Sequence, residues 1–536
     1  MAAKKKAVAK PAKPAKPVKS AKPAKPAEAA KRRSTAARPD KVVVTNRSAL
    51  TAKYGAKVAA VDKAIAALVA ADKAKGLTTL VVALDDAAAM KAARGTAVTD
   101  ATDPAQSKAA VDAVFHAYQP DYLMILGSID VVPHQPMRNP VYDGANDVDR
   151  FAPGDLPYAC NAPFSDDPST FIGPDRVVGR LPDLTGASDP AALLAALAGA
   201  TKWKPRPRTD YEPHLGITAK VWEKSTVLSL RNVFGAAEIH TSPAEGPTWA
   251  KPMLSRRVHF VNCHGADSDP QFYGQDGSNY PVAHQSKLVA GRVRAGTVAA
   301  AECCYGAQLW APQALDGMEP MPIAYLRSGA VAFLGSSTIA YGPADSNGDA
   351  DLICQYFVDS LLGGASLGRA ALEARQRFVR GVTVLSPVNT KTLAQFSLMG
   401  DPSVHAVAAP TTTGAVPAKA LRTQHREKLL QNAVANLRDT SITRRDDSVE
   451  VAPEVRSTLV ADLGPLDYAQ VQSFTVAPPP LASVLPPPPH TALDAGTRIR
   501  VVLGRSAVPA PGPSIVAVEG REEDGRIVGR RVVLSK

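Results

Sequence analysis

What most constrains the fold of this chain is a pair of short apolar runs, each of which stops at a reactive side chain. They are Val258-His-Phe-Val-Asn-Cys-His264-Gly265 and Thr297-Val-Ala-Ala-Ala-Glu302-Cys303-Cys304-Tyr-Gly306. Runs of this length read as buried strands, and the glycines that follow mark where each strand gives way to a turn. In an open α/β sheet, strand ends hold side chains rigidly at the mouth of a crevice. His264 and Cys304 are 40 positions apart, room for a loop, a helix and the next strand of a parallel pair. The two ends can therefore be neighbours that offer a base and a nucleophile. Each residue also has a plain structural reading, the cysteine as a small buried hydrophobe and the histidine as a turn residue. A zinc site made of Cys263, His264, Cys303 and Cys304 is disfavoured, because adjacent strand side chains point to opposite faces and no C-x-x-C spacing occurs.

The pattern before these runs predicts more of the same architecture. Lys41-Val-Val-Val-Thr reads as a strand, Ser48 to Lys73 as an alanine-rich helix, and Thr78 to Leu84 as a strand. Asp103 caps a helix that starts at Pro104 and runs to Tyr118, and Tyr122-Leu-Met-Ile-Leu is another buried strand. Alternating strands and helices imply a mainly parallel sheet covered on both faces, an α/β fold.

Residues 1–40 are of a different kind. They hold 10 Lys and 3 Arg against Glu28 and Asp40, so they carry +11 of the chain's net +12. With proline throughout and little to bury, this Lys/Pro/Ala-rich segment is expected to be extended and disordered, and it lacks the apolar core of a secretory signal. It resembles the basic tails of linker histones, which suggests salt-sensitive contact with nucleic acid or another polyanion; a solubilising leader fits equally well. No apolar run approaches a membrane span, so no membrane partner is expected. Five scattered cysteines give no disulfide framework and suit a reducing, cytoplasmic compartment.

Several further stretches carry a family resemblance. Pro120 to Pro133, Asp155-Leu-Pro-Tyr158-Ala and Pro174-Asp-Arg-Val-Val-Gly179-Arg180-Leu-Pro182 resemble the first half of a gingipain-type peptidase. His264-Gly265, Cys-Cys-Tyr-Gly306, Ser328 to Ser337, Ser366-Leu-Gly368-Arg-Ala and Phe396-Ser-Leu-Met-Gly400-Asp401-Pro402 follow in that family's order. The resemblance spans about Lys41 to His405 and implies a caspase-like, gingipain-like cysteine peptidase of family C25. It implies two α/β halves, in which a His-Gly and a cysteine at adjacent strand ends cleave peptide bonds. The chain departs from the family in having cysteine where alanine usually precedes the nucleophile, and in lacking the signal peptide and pro-segment of the secreted members. The division expected is a tail over 1–40, halves over 41–205 and 206–409, and a linker, basic helix and small β-rich C-terminal appendage over 410–536.

The residues support the same chemistry. A helix expected from Ala307 to Leu315 would favour a thiolate at its positive end. His264 would act as base and then as acid, and the Gly265 and cysteine N–H groups would hold an oxyanion. No cofactor or metal is required. Cys303 as nucleophile puts a glycine three positions on but an acidic Glu302 directly before the thiolate, whereas Cys304 places a small residue before it and Gly306 two positions after. Strand alternation lets only one of the two face His264, and Cys304 is the choice. The loop Tyr341 to Asp351 reads as a solvated turn, a calcium loop or a wall for a basic substrate side chain, with Asp345 and Asp349 as substrate-binding carboxylates. Competing readings are a caspase-like scaffold that has lost activity and a polyanion-binding protein working through its tail.

Overall fold

The computed structural model describes residues 38–312, 318–408, 418–461, 463, 470–480, 496–505 and 515–536. The basic segment up to residue 37, the linker 409–417 and most of the proline-rich run lie outside them.

The first half supplies β1 (Lys41–Thr45), β2 (Thr79–Ala83), β3 (Tyr122–Leu126) and β4 (Val178–Leu181). The alanine-rich helix is interrupted at Gly55, whose φ of 53° ends the helix Arg47–Tyr54 before Val58–Ala74 resumes. Asp103 caps Pro104–Tyr118 as expected, accepting from the N–H groups of Ala105 and Gln106. The second half supplies β5 (His214–Ala219), β6 (Ile239–Ser242) and β7 (Val258–Asn262). A small antiparallel flap follows, made of β8 (His264–Gly265), β9 (Gln271–Tyr273) and β10 (Val282–Gln285). Then come β11 (Val298–Ala301), β12 (Ala332–Ser336), β13 (Tyr341–Gly342), β14 (Val384–Leu385) and β15 (Phe396–Met399).

One ten-stranded sheet runs β2-β1-β3-β4-β15-β12-β11-β7-β5-β6. Apart from β15, each half is parallel within itself. β15 joins them, antiparallel to β12 and parallel to β4 at Met399 opposite Arg180. The architecture is a mixed α/β fold built on a parallel-dominated sheet. Several of the resemblance's motifs turn out to be buried joints of this sheet. Arg180 of β4 grips Asp155 with two bonds of 2.9 and 2.6 Å and also donates to the Val132 carbonyl at 2.7 Å. Lys41 at the start of β1 holds both Asp72 and Asp401. Buried pairs of this kind fix register, and removing one partner strands a charge.

The C-terminal region contains the expected helix, Ala418–Asp439, and more sheet than the sequence pattern suggested. β16 (Ser441–Arg445), β17 (Val471–Ala477), β18 (Arg498–Arg505), β19 (Ile515–Glu523) and β20 (Arg526–Ser535) form a second sheet in the order β13-β20-β19-β18-β17-β16-β14. Both edge strands come from the second half, so the region expected as an appendage is stitched to it at two places. No helix among the described residues is long and apolar enough to cross a membrane.

Candidate active site

β7 and β11 are direct neighbours, with Val261 opposite Ala301, so the residues that follow them emerge side by side. Glu302 continues the pairing, its N–H donating to the Val261 carbonyl at 2.8 Å. Beyond β7 the chain enters the flap at His264 and Gly265. A Cβ at residue 265 would stand 1.9 Å from the Cys304 carbonyl oxygen, so only glycine lets the two backbones meet. The His264 imidazole is held by Gln275, Nε2 to Oε1 at 2.7 Å, between the rings of Trp222 and Tyr280. Burial pushes its pKa down to about 4, the Lys536 charge adds to the fall, and the Gln275 bond opposes it. No hydrogen bond joins it to Cys303 or Cys304 among the described residues; the structure brings the His-Gly backbone to the cysteine but leaves the imidazole on Gln275.

The two thiols face different neighbours. Cys303 Sγ points at the Val261 carbonyl, 3.8 Å away, and burial holds it well above the ordinary thiol range, with Cys263 adding to the rise. Cys304 Sγ accepts from the Ala340 N–H at 3.2 Å. Its pKa is pushed up to about 12 by burial, with Ala340 and Lys391 opposing and Asp149 and Asp147 adding. The expected helix does not begin at Ala307. Residues 307–311 are turn and irregular chain, Tyr305 is left-handed at φ 54°, Pro312 is 3-10 helical, and the 313–315 part of the expected span lies outside the described residues. Among the described residues no α-helix N-terminus directly follows Cys304 to support a thiolate.

Beside Cys304 lies a buried acidic pocket. Glu302 from the end of β11 and Asp351 from the helix Asp349–Leu362 converge with Asn262 of β7. Their oxygens surround the Lys536 ammonium, at 2.9 Å from Glu302 Oε2, 2.6 Å from Asp351 Oδ1 and 2.9 Å from Asn262 Oδ1. The ammonium also lies 5.3 Å from the centre of the Trp222 ring. Burial raises the Glu302 pKa well above the ordinary value and Asp351 raises it further, while Lys536 opposes both. The Glu302 Oε1 atom is buried with no partner.

The carboxylates expected to bind substrate lie elsewhere. Asp345 is on the surface, 2.9 Å from Lys224, its side chain 74% exposed. Asp349 is buried but occupied by Arg531 at 3.0 Å and Asn389 at 2.8 Å. The loop does send a carboxylate to the site, and it is Asp351. Sequence reading also missed Asn262, Trp222, Gln275 and Lys536, which carry no local signal. Behind Cys304, Lys391 pairs with Asp147, which accepts from Tyr341 Oη at 2.9 Å, while Tyr305 Oη donates to Asp149 at 2.9 Å. Among the described residues no group of three or more His, Cys, Asp and Glu is placed to hold a metal ion.

Residues 286–407 match the family model described as Peptidase family C25. That segment, under a quarter of the chain, is similar to the peptidases of family C25. The matched segment contains Cys303, Cys304 and Asp351 and begins after His264. Two solved structures are similar over 92% of this chain. One is described as a protease, at 12% identity and a TM-score of 0.46 over 96% of that chain. The other is the complex of the pro- and mature domains of RgpB from Porphyromonas gingivalis, at 10% identity and a TM-score of 0.44 over 99% of that chain. No curated protein matches.

Proposed function

We propose that the gingipain-like chain is an endopeptidase that cuts after lysine, with Cys304 as nucleophile, His264 as acid and base, and Glu302 and Asp351 as the floor of the pocket for the lysine. The observation that carries this reading is the set of three acceptors converging on one ammonium beside the Cys304 backbone. An ammonium is a compact point charge with three donors, whereas a guanidinium is a wider planar fork, so this pocket suits lysine rather than arginine. The Cys304 N–H also donates to the Lys536 backbone oxygen at 3.2 Å, which is what the first donor of an oxyanion hole does. Cys303 offers no comparable arrangement, since its thiol is turned to Val261.

In this reading the imidazole leaves Gln275 and takes the Cys304 proton. The thiolate attacks the carbonyl carbon after lysine, the C–N bond breaks, and His264 returns the proton to the departing amine. Water then attacks the thioester and releases the acid. The test is to treat the full-length chain carrying Lys536→Ala, which empties the pocket, with a peptidyl-lysyl acyloxymethyl ketone and map the modified cysteine by mass spectrometry. Modification at Cys304 is expected. Modification at Cys303, or equal modification by the matching aspartyl reagent, contradicts the reading.

A further inference from the structure

Lys536 does more than place an ammonium in the pocket. Its N–H donates to the Ala340 carbonyl at 2.9 Å, and its backbone oxygen accepts from Cys304 at 3.2 Å. The residues before it pair antiparallel with β13, Ser535 opposite Tyr341 and Leu534 opposite Gly342. An extended chain whose backbone is bound on both sides of one residue, with that residue's side chain in a charged pocket, is how a substrate strand is held by edge pairing. β13 is only two residues long and belongs to the catalytic half, yet it closes one edge of the C-terminal sheet. Gly342 makes room for this. A Cβ there would lie 2.1 Å from Lys536 Cε.

We propose that the Leu534–Lys536 strand is a built-in inhibitor, lying along β13 in the register of a substrate with Lys536 filling the lysine pocket. The proposal rests on the peptidase reading above and adds its regulation. Three observations agree with it. The Cys304 N–H, needed for the oxyanion, is already engaged. His264 sits on Gln275 and not on a thiol. Glu302 and Asp351, two buried carboxyls side by side, require a cation between them, and Lys536 supplies it. β19 pairs with β20 up to Leu534, and among the described residues Ser535 and Lys536 are held by β13, the pocket and a bond from the Ile515 N–H to Ser535 Oγ at 2.9 Å. Activation is then displacement of Ser535 and Lys536, while β19 keeps the rest of β20 in place.

The test compares hydrolysis of a fluorogenic peptide with lysine before the cut by the full-length wild type, Lys536→Ala and Lys536→Gln, each alone and with Cys304→Ala, melting temperatures being recorded alongside. The expected result is a rise in kcat/KM of at least about tenfold for both position-536 variants, lost with Cys304→Ala. Should Lys536→Ala fail to fold, Lys536→Gln, which retains length and hydrogen bonding, carries the comparison. Equal rates in wild type and variants, all abolished by Cys304→Ala, overturn the inhibitor and leave the peptidase reading standing. Hydrolysis that survives Cys304→Ala overturns both, as does its absence from every variant.

Discussion

At the scale of single residues, the site is a question of which polar groups lack a nearer partner. The placement of His264 and Cys304 at neighbouring strand ends was legible in the sequence because each follows an apolar strand just before a turn, a local signal. The pocket carboxylates were not, because Asp345, Asp349 and Asp351 look alike in one acidic loop. What separates them is whether a distant cation claims each: Lys224, Arg531 and Lys536. Glu302 read as an electrostatic burden on a neighbouring thiolate, yet its side chain faces Lys536. In the Lys536→Ala chain, Asp351→Asn and Glu302→Gln are each expected to lower kcat/KM for lysine peptides on the order of 10- to 100-fold, mostly through KM, since each removes a charged partner of a desolvated ammonium. Steady-state kinetics check this, and an unchanged KM would show that the pocket does not receive the substrate. Asp345→Asn should change nothing, its carboxylate being exposed and remote from the thiol.

At the scale of elements, the strand pattern predicted β1, β2, β3, β7 and β11 because buried strands leave a period that needs no partner to be read. It missed β13 and β14, two residues each, which exist only because the C-terminal strands pair with them. The helix expected from Ala307 does not begin there for a local reason: Tyr305 turns left-handed and Gly306 follows. Two glycines serve close approach here. Gly265→Ala is expected to separate the flap from the Cys304 carbonyl and to cut activity at least about tenfold without unfolding the ten-stranded sheet. In the Lys536→Ala chain, Gly342→Ala puts a methyl where the lysine stem runs, so it should weaken lysine peptides while sparing those with a smaller side chain at that position. Comparing the two peptide types by kcat/KM decides it; equal losses would mean that Gly342 does not line the pocket.

At the scale of the whole molecule, burial keeps several imidazoles neutral. His134, His259 and His264 are held down to about 4 and His284 to about 3, all by burial first, against an ordinary 6.5. Below pH 6.5 the unfolded chain therefore binds more protons than the folded one. The stability contributed by these neutral rings is fully present above that pH and is lost as pH falls towards 4. Asp149, Asp175 and Asp349, raised by burial, act in the opposite sense lower in this window, so the loss should be steepest between about pH 6.5 and 5. Melting temperature followed across pH should fall in that interval and stay nearly level above it; a rise on acidification would contradict the assignment. Fold class was readable from alternation alone, whereas the stitching of the C-terminal sheet to the catalytic half rests on contacts such as Glu302 with Lys536, 234 positions apart, which no local pattern encodes. The central claim, that Cys304 cuts after a residue seated between Glu302 and Asp351, is tested most directly by digesting a diverse peptide library with the Lys536→Ala chain and sequencing the products. The expected result is new C-termini that are overwhelmingly lysine and that vanish with Cys304→Ala. Product ends rich in acidic or apolar residues, or lysine ends that persist without Cys304, would contradict it.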